Sequence, residues 1–189
     1  PLAFEDVCGW DLAELARVRG QAETAEALER QALAIYEAAL GPDNPAVATS
    51  LTALAMGYEA RAQYAEAEPL YRRVLAIREH AFGDHHPQVA LALNNLAALH
   101  ASRGRFTEAE SLYRRAITIW EATLGRNDDS VVNALTNLAH LYRAQGRYDD
   151  AQHLLSRALT ALEQAPIPND AAVASILTGL GRLSRLQGK

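Results

Sequence analysis

Lysine is nearly missing from this chain: Lys189 is the only one, and arginine supplies the remaining basic residues. That bias reads as the imprint of a GC-rich genome and carries no functional signal. Cysteine is as scarce. A lone Cys8 excludes an intramolecular disulfide and cannot build a metal site by itself. Aromatic residues make up only 6 % of the chain. No apolar run approaches the roughly 20 residues needed to span a bilayer, and no secretory leader pattern is visible. A cytoplasmic protein without membrane contact is therefore expected, although a chain that opens on Pro1 is compatible with upstream segments and a larger multidomain polypeptide. The net charge of −5 opposes nucleic-acid binding, which calls for a basic excess. Alternating runs of β-branched residues are too few to support strands. Gly-rich phosphate loops, nucleophile elbows, HExxH and CxxC motifs are all missing, so no catalytic residue, metal or cofactor is expected.

What is present is repetition. Leu12, Leu54, Leu96, Leu138 and Leu180 stand 42 residues apart, as do Val47, Val89, Val131 and Val173. Gly41, Gly83 and Gly125 keep the same step, and so do Ala25, Ala67, Ala109 and Ala151 and Ala13, Ala55, Ala97 and Ala139. Tyr64, Phe106 and Tyr148 form an aromatic column whose first place is held by Ala22. Coincident columns at a fixed period mark a stack of supersecondary units, each leaving apolar surface for the next to cover.

Inside each unit the period is helical. Leu93, Leu96, Ala97 and His100 make one stripe; a second runs from Phe106 through Ala109, Leu112, Tyr113, Ala116 and Ile117. Gly20, Gly104 and Gly146 suit left-handed helix ends. Asn44-Pro45, His86-Pro87, Asn127-Asp128-Asp129 and Asn169-Asp170 supply helix starts. The expected helices are 4–19, 22–40, 45–61, 64–81, 87–103, 106–123, 129–145, 148–164 and 170–187. Pro69, one turn inside the fourth, predicts a bend or a late start there. Gly179 and Gly181 weaken the last helix, which also lacks the second helix of its pair, and a cut through a longer array is the expectation.

The run LNNLAALHASRGRFTEAESLYRRAITIWEATLG resembles a tetratricopeptide repeat of the 42-residue, kinesin light chain-like type, and YAEAEPLYRRVLAIREHAFGDHHPQVA is similar to the same family. The likeness covers four full units and half of a fifth, approximately 1–42, 43–84, 85–126, 127–168 and 169–189, read as a single array. It implies an all-α fold, a right-handed α-solenoid of antiparallel helix pairs. It also implies a concave groove, lined by the first helix of each pair, that holds an extended peptide or a partner helix. Similar arrays occur as sensor segments of bacterial signalling ATPases and as scaffolds attached to proteases. The first unit departs from the pattern at Ala22 and Asp11, and the fourth replaces the His-Pro or Asn-Pro start with Asp129-Ser130.

Helix geometry assigns groove residues independently. Beside the core stripe runs a second face: Thr49, Thr52, Met56 and Glu59 in the second unit; Leu91, Asn94, Ala98 and Ala101, with Asn95 at the edge, in the third; Asn133, Thr136, His140 and Arg143, with Asn137 at the edge, in the fourth. Short polar chains suit a peptide backbone, and an Asn amide both donates and accepts. The family's groove asparagine carries over to Asn95 and Asn137; the alternative is that these amides bond between adjacent repeats. His140 on this face would make ligand binding sensitive to pH. His80, His85 and His86 read as loop and helix-start residues rather than metal ligands, and His100 as a packing residue in the place of Tyr58 and Tyr142. The arginine stripe Arg30, Arg72 and Arg114 is matched four residues earlier by Glu26, Glu68 and Glu110, a self-neutralising face. A scaffold for protein or peptide ligands is thus the leading reading. A structural or oligomerisation module, or a sensor segment of a larger signalling protein, is the alternative.

Overall fold

The computed structural model describes residues 22–164 and 169–188. Eight helices are present among them: α1 (Ala22–Leu40), α2 (Pro45–Ala60), α3 (Tyr64–Phe82), α4 (Pro87–Ser102), α5 (Phe106–Thr123), α6 (Asp129–Ala144), α7 (Tyr148–Glu163) and α8 (Asp170–Leu186). Their bounds fall within two residues of the expected ones. The expected helix at 4–19, with Leu12 and Cys8, lies outside the described residues.

The starts follow from side-chain acceptors placed against orphan backbone N–H groups. Asn44 accepts from the Ala46 amide at 2.9 Å, Asp128 from Ser130 at 2.8 Å and Asn169 from Ala172 at 3.1 Å. His86 does the same through Nδ1, accepting from Gln88 N–H at 3.1 Å. The first helices end in one repeated device. The amides of Gln63, Arg105 and Arg147 reach back to the carbonyls of Tyr58, His100 and Tyr142, each at 2.9 Å. This Schellman geometry needs a left-handed residue, supplied by Gly104 (φ 72°), Gly146 (φ 74°) and, against its chirality, Ala62 (φ 56°).

Pro69 does not delay α3, which begins at Tyr64 and runs through it. The missing N–H would have met the carbonyl of Ala65. Both residues are exposed, so water can satisfy that oxygen.

The chain divides into two compact units, Pro1–Asp84 and His85–Lys189. In the first, α2 packs between α1 and α3. In the second, α4 pairs with α5, α6 with both α5 and α7, and α8 with α7, while α4 touches α6 directly. Short connections make sequential neighbours antiparallel. The repeat columns are the core: Val47, Val89 and Val131 are fully buried, and Leu54, Leu96 and Leu138 are 4 %, 2 % and 2 % exposed. Ala67, Ala109 and Ala151 have no exposed surface at all, which marks where partner helices come closest. On α8 the same columns open: Leu180 and Val173 are half-buried, and Leu177, the counterpart of Leu135, is 51 % exposed.

Replacing Leu96 with Ala should cost about 2–5 kcal/mol as a core cavity, read as a lower urea midpoint. Ala62→Gly should instead add about 0.5–1 kcal/mol of stability, read as a higher midpoint, because it removes the left-handed penalty at an exposed site.

Candidate functional site

The second face of the first helices is only partly covered, as the stripe geometry requires. On α2, Thr49 and Met56 are exposed and Thr52 and Glu59 half-buried. On α4, Leu91 is exposed and Asn94, Asn95, Ala98 and Ala101 are half-buried. On α6, Asn133, His140 and Arg143 are exposed and Thr136 and Asn137 half-buried. Every candidate wall residue therefore keeps some access to solvent, while Leu93, Leu96, Ala97 and His100 on the neighbouring stripe do not.

Several of these groups already have work inside the protein. Glu59 accepts a hydrogen bond from the Tyr71 hydroxyl at 2.9 Å. Burial first, then the charge and hydrogen bond of Glu59, push the Tyr71 hydroxyl well above its ordinary pKa. Asn137 Nδ2 donates to Asn94 Oδ1 across adjacent first helices, at a long 3.4 Å. That is the bond between repeats that the sequence left as an alternative. The contact is weak enough to yield to a better partner. Thr52 and Thr136 donate their hydroxyl protons to the carbonyls of Ala48 and Val132, at 2.7 and 2.9 Å. Only their acceptor lone pairs remain for a ligand.

The wall continues onto α8, where the 42-residue step carries the asparagine column to Gly179. Ser175, Thr178, Gly179 and Arg182 fall 42 positions after Asn133, Thr136, Asn137 and His140. Between α6 and α8, Thr136, His140, Ser175, Thr178, Gly179 and Arg182 border an open-sided cavity of about 390 Å³ that also meets Leu155 and Ile176. At Gly179, where α4 and α6 carry asparagine, a Cβ would lie 3.0 Å from Leu155 Cδ1. Arg143 joins His140 and Arg182 around a smaller adjoining recess. Part of the His140 ring sits within this pocketed surface. Its desolvation, then the charges of Arg143 and Arg182, hold its pKa below the ordinary histidine value.

The opposite, second-helix side carries a polar network that the glutamate–arginine spacing only half revealed. Glu26 pairs with Arg30 at 2.9 Å, Glu68 with Arg72 at 2.8 Å and Glu110 with Arg114 at 3.0 Å. Glu110 also accepts from the Tyr142 hydroxyl at 2.7 Å and from Arg147 at 2.9 Å, and the Arg147 guanidinium lies 3.8 Å over the Tyr142 ring. Glu26 is held in the same way by Tyr58 and Arg61. The basic partner comes from different columns: Arg61 with Gln63 in one unit, Arg147 with Gln145 in the other. Arg73–Glu37 and Arg157–Glu121 add a second link, again at equivalent positions.

His80 and His85 are exposed, and among the described residues no three His, Cys, Asp or Glu side chains are grouped to hold a metal ion. No described helix is long and apolar enough to cross a membrane.

Known proteins share the fold. A family model described as tetratricopeptide repeat matches residues 6–80, 58–122, 88–164 and 130–189. Among solved structures, BtubC (BKLC) from P. vanneervenii is 26 % identical with a TM-score of 0.83, over 94 % of this chain and 70 % of that one. A putative kinesin light chain with nearly identical TPR-like repeats, from Podosopora anserina, is 25 % identical with a TM-score of 0.81, over 96 % of this chain and 86 % of that one. Among curated proteins none matches.

Burial would raise the Glu110 pKa, but hydrogen bonds from Tyr142, Arg147 and Arg114 outweigh it and hold the group below its ordinary value. A depressed carboxylate contributes stability in full above its unfolded pKa, about 4.3, and loses it as pH falls through the folded value. Glu110→Gln should thus cost about 1–2 kcal/mol at neutral pH, read as a lower urea midpoint, and reduce the further drop expected of the wild type on acidification below about pH 4.

Proposed function

We propose that this chain, which belongs to the tetratricopeptide-repeat family, is a protein-interaction scaffold that takes an extended segment of another protein along the second face of its first helices. Repeats of this family are generally protein–protein interaction scaffolds, a non-catalytic type of fold. Binding at this particular face is our reading, and one observation carries it. The wall pairs half-covered asparagines and threonines with small alanines, where an ordinary solvent face would carry long charged chains.

The chemistry suits a peptide backbone. Asn95 and Asn137 present an amide that can both donate and accept, and the Asn137–Asn94 contact is long enough to be exchanged for a ligand. Met56 and Leu91, 50 % and 38 % exposed, offer apolar contact without a deep specificity pocket. Such a surface holds many sequences by their main chain and selects among them with the side chains that flank it. The cytoplasm is the compartment we assign to it.

The test is a displayed library of random peptides selected against the wild-type chain. The Asn95→Ala/Asn137→Ala double variant should keep its helical circular dichroism and melting temperature while binding the selected peptides more weakly. A loss of more than about 3 kcal/mol of folding stability in that variant would assign the asparagines to holding the repeats together. Unchanged peptide affinity would remove them from the site.

A further inference from the structure

We propose that the second-helix side carries a docking slot of its own, between α5 and α7, which takes one large neutral apolar side chain, leucine or phenylalanine, from a partner protein. The slot lies away from the first-helix wall and does not depend on that wall holding a guest.

α5 and α7 are second helices of successive repeats, and both pack on α6. Between them is a cavity of about 330 Å³, floored by Leu135, Leu138 and Tyr142 of α6. Ile117 lines it from α5 and Leu154 from α7, while Thr118 and His153 stand exposed at its mouth. This is not surface left bare by a missing helix. α5, α6 and α7 each have both of their neighbours along the chain among the described helices. A further repeat would stack on α8 and leave the slot open.

Polar ties close the slot at both ends, and each tie is neutral. At one end Glu110 pairs with Arg114 at 3.0 Å and with Arg147 at 2.9 Å, and Arg147 pairs with Asp150 at 2.8 Å. At the other end Arg157 pairs with Glu121. The hydroxyls are committed as well. Thr118 donates to the Arg114 carbonyl at 2.9 Å, and Tyr142 to Glu110 at 2.7 Å. A charged guest would enter without a counter-ion, lose hydration, and have to break a pair to recover the loss. A neutral apolar guest leaves every pair intact and covers Ile117 and Leu154. Along α5, the span from Arg114 to Glu121 is about 10 Å at the helical rise. That length suits one large side chain and not a row of them.

The open side decides what carries the guest. A pocket for a free small molecule encloses most of its ligand. Here the walls end in exposed Arg114, Thr118, Asp150 and His153, and nothing described covers them. A side chain anchored on a partner protein brings its own cover, and the paired rim then keeps water from the anchor, as around an interface hot spot. The ties also fix the walls beforehand, so little ordering opposes binding. Two 42-residue steps earlier the same ties recur: Glu26 with Arg30, Arg61 and Tyr58, and Glu37 with Arg73. Leu51 and Leu54 hold the places of Leu135 and Leu138 there, whereas the repeat between puts His100 in the tyrosine place. The parts of the slot thus belong to alternate repeats.

The experiment titrates the whole chain, methyl-labelled at isoleucine and leucine, with N-acetyl methylamides of leucine, phenylalanine, alanine, glutamate and lysine at neutral pH. The Ile117 and Leu154 methyl signals should move with the leucine and phenylalanine compounds, at half-saturation about tenfold lower than with alanine. They should stay in place with glutamate and lysine. Thr118→Phe sets a ring in the mouth from an exposed position, and it should abolish the movement with helical circular dichroism and melting temperature unchanged. Glu121→Gln frees Arg157 and should let the glutamate compound bind. Asn95→Ala/Asn137→Ala should respond as wild type does. Displayed random peptides, selected on that groove variant and counter-selected on Thr118→Phe, should share a leucine or phenylalanine and displace the leucine compound. Motionless Ile117 and Leu154 signals, equal response to leucine and alanine, movement that survives Thr118→Phe, glutamate still excluded by Glu121→Gln, or a selection that yields no displacing peptide each overturns the proposal. None of these outcomes touches the groove reading, which stands or falls on its own asparagine variant.

Discussion

The structure depends on one constraint: a first helix cannot bury its leucine–valine stripe without a second helix close enough to cover it. That closeness is set by alanine. Ala67, Ala109 and Ala151 have no exposed surface, and large residues such as Leu51, Leu93 and Leu135 fill the space beside them. Because covering occupies one stripe of each first helix, the adjacent stripe is only partly covered. The wall that we assign to ligand binding is the remainder of this packing rule, so its residues are free to vary in chemistry while the core columns are not.

Most of the fold was legible in the sequence because its signals are local and repeated. The proline and asparagine starts, the glycine ends and the 42-residue columns place α1 to α8 to within two residues. What escaped were features that need a third dimension. Ala62 adopts the left-handed turn that Gly104 and Gly146 perform elsewhere, since the backbone bonds back to Tyr58 and Glu59 hold it there. Pro69 leaves α3 intact because the carbonyl it fails to pair lies on an exposed side of the helix, a matter of facing that sequence spacing alone does not reveal.

The site was legible as a face but not as a set of partners. Spacing alone put Thr52, Asn94 and Thr136 in one column, and all three are half-buried. It did not reveal that Glu59 is held by Tyr71, or that Asn137 leans on Asn94. On the other side, the glutamate–arginine spacing found the pairs but missed the tyrosines, Tyr58 and Tyr142, which turn two of the three pairs into a bridge to the next first helix. The exchange of Arg61–Gln63 for Gln145–Arg147 shows why: the bridge needs a guanidinium within reach of the glutamate, and two different positions satisfy that need.

The threonine hydroxyls bear on what shape of guest the wall can tell apart. Thr136 on α6 and Thr178 on α8 are each bonded to the carbonyl one turn back, as Thr52 is on α2, and each shows only lone pairs outward. A helical guest has spent its main-chain amides on itself and has nothing to give those oxygens. A stretched one still has its N–H groups to offer. On the groove reading proposed above, the threonines, silent about side chains, would act as a sieve for conformation and favour a guest that arrives unfolded.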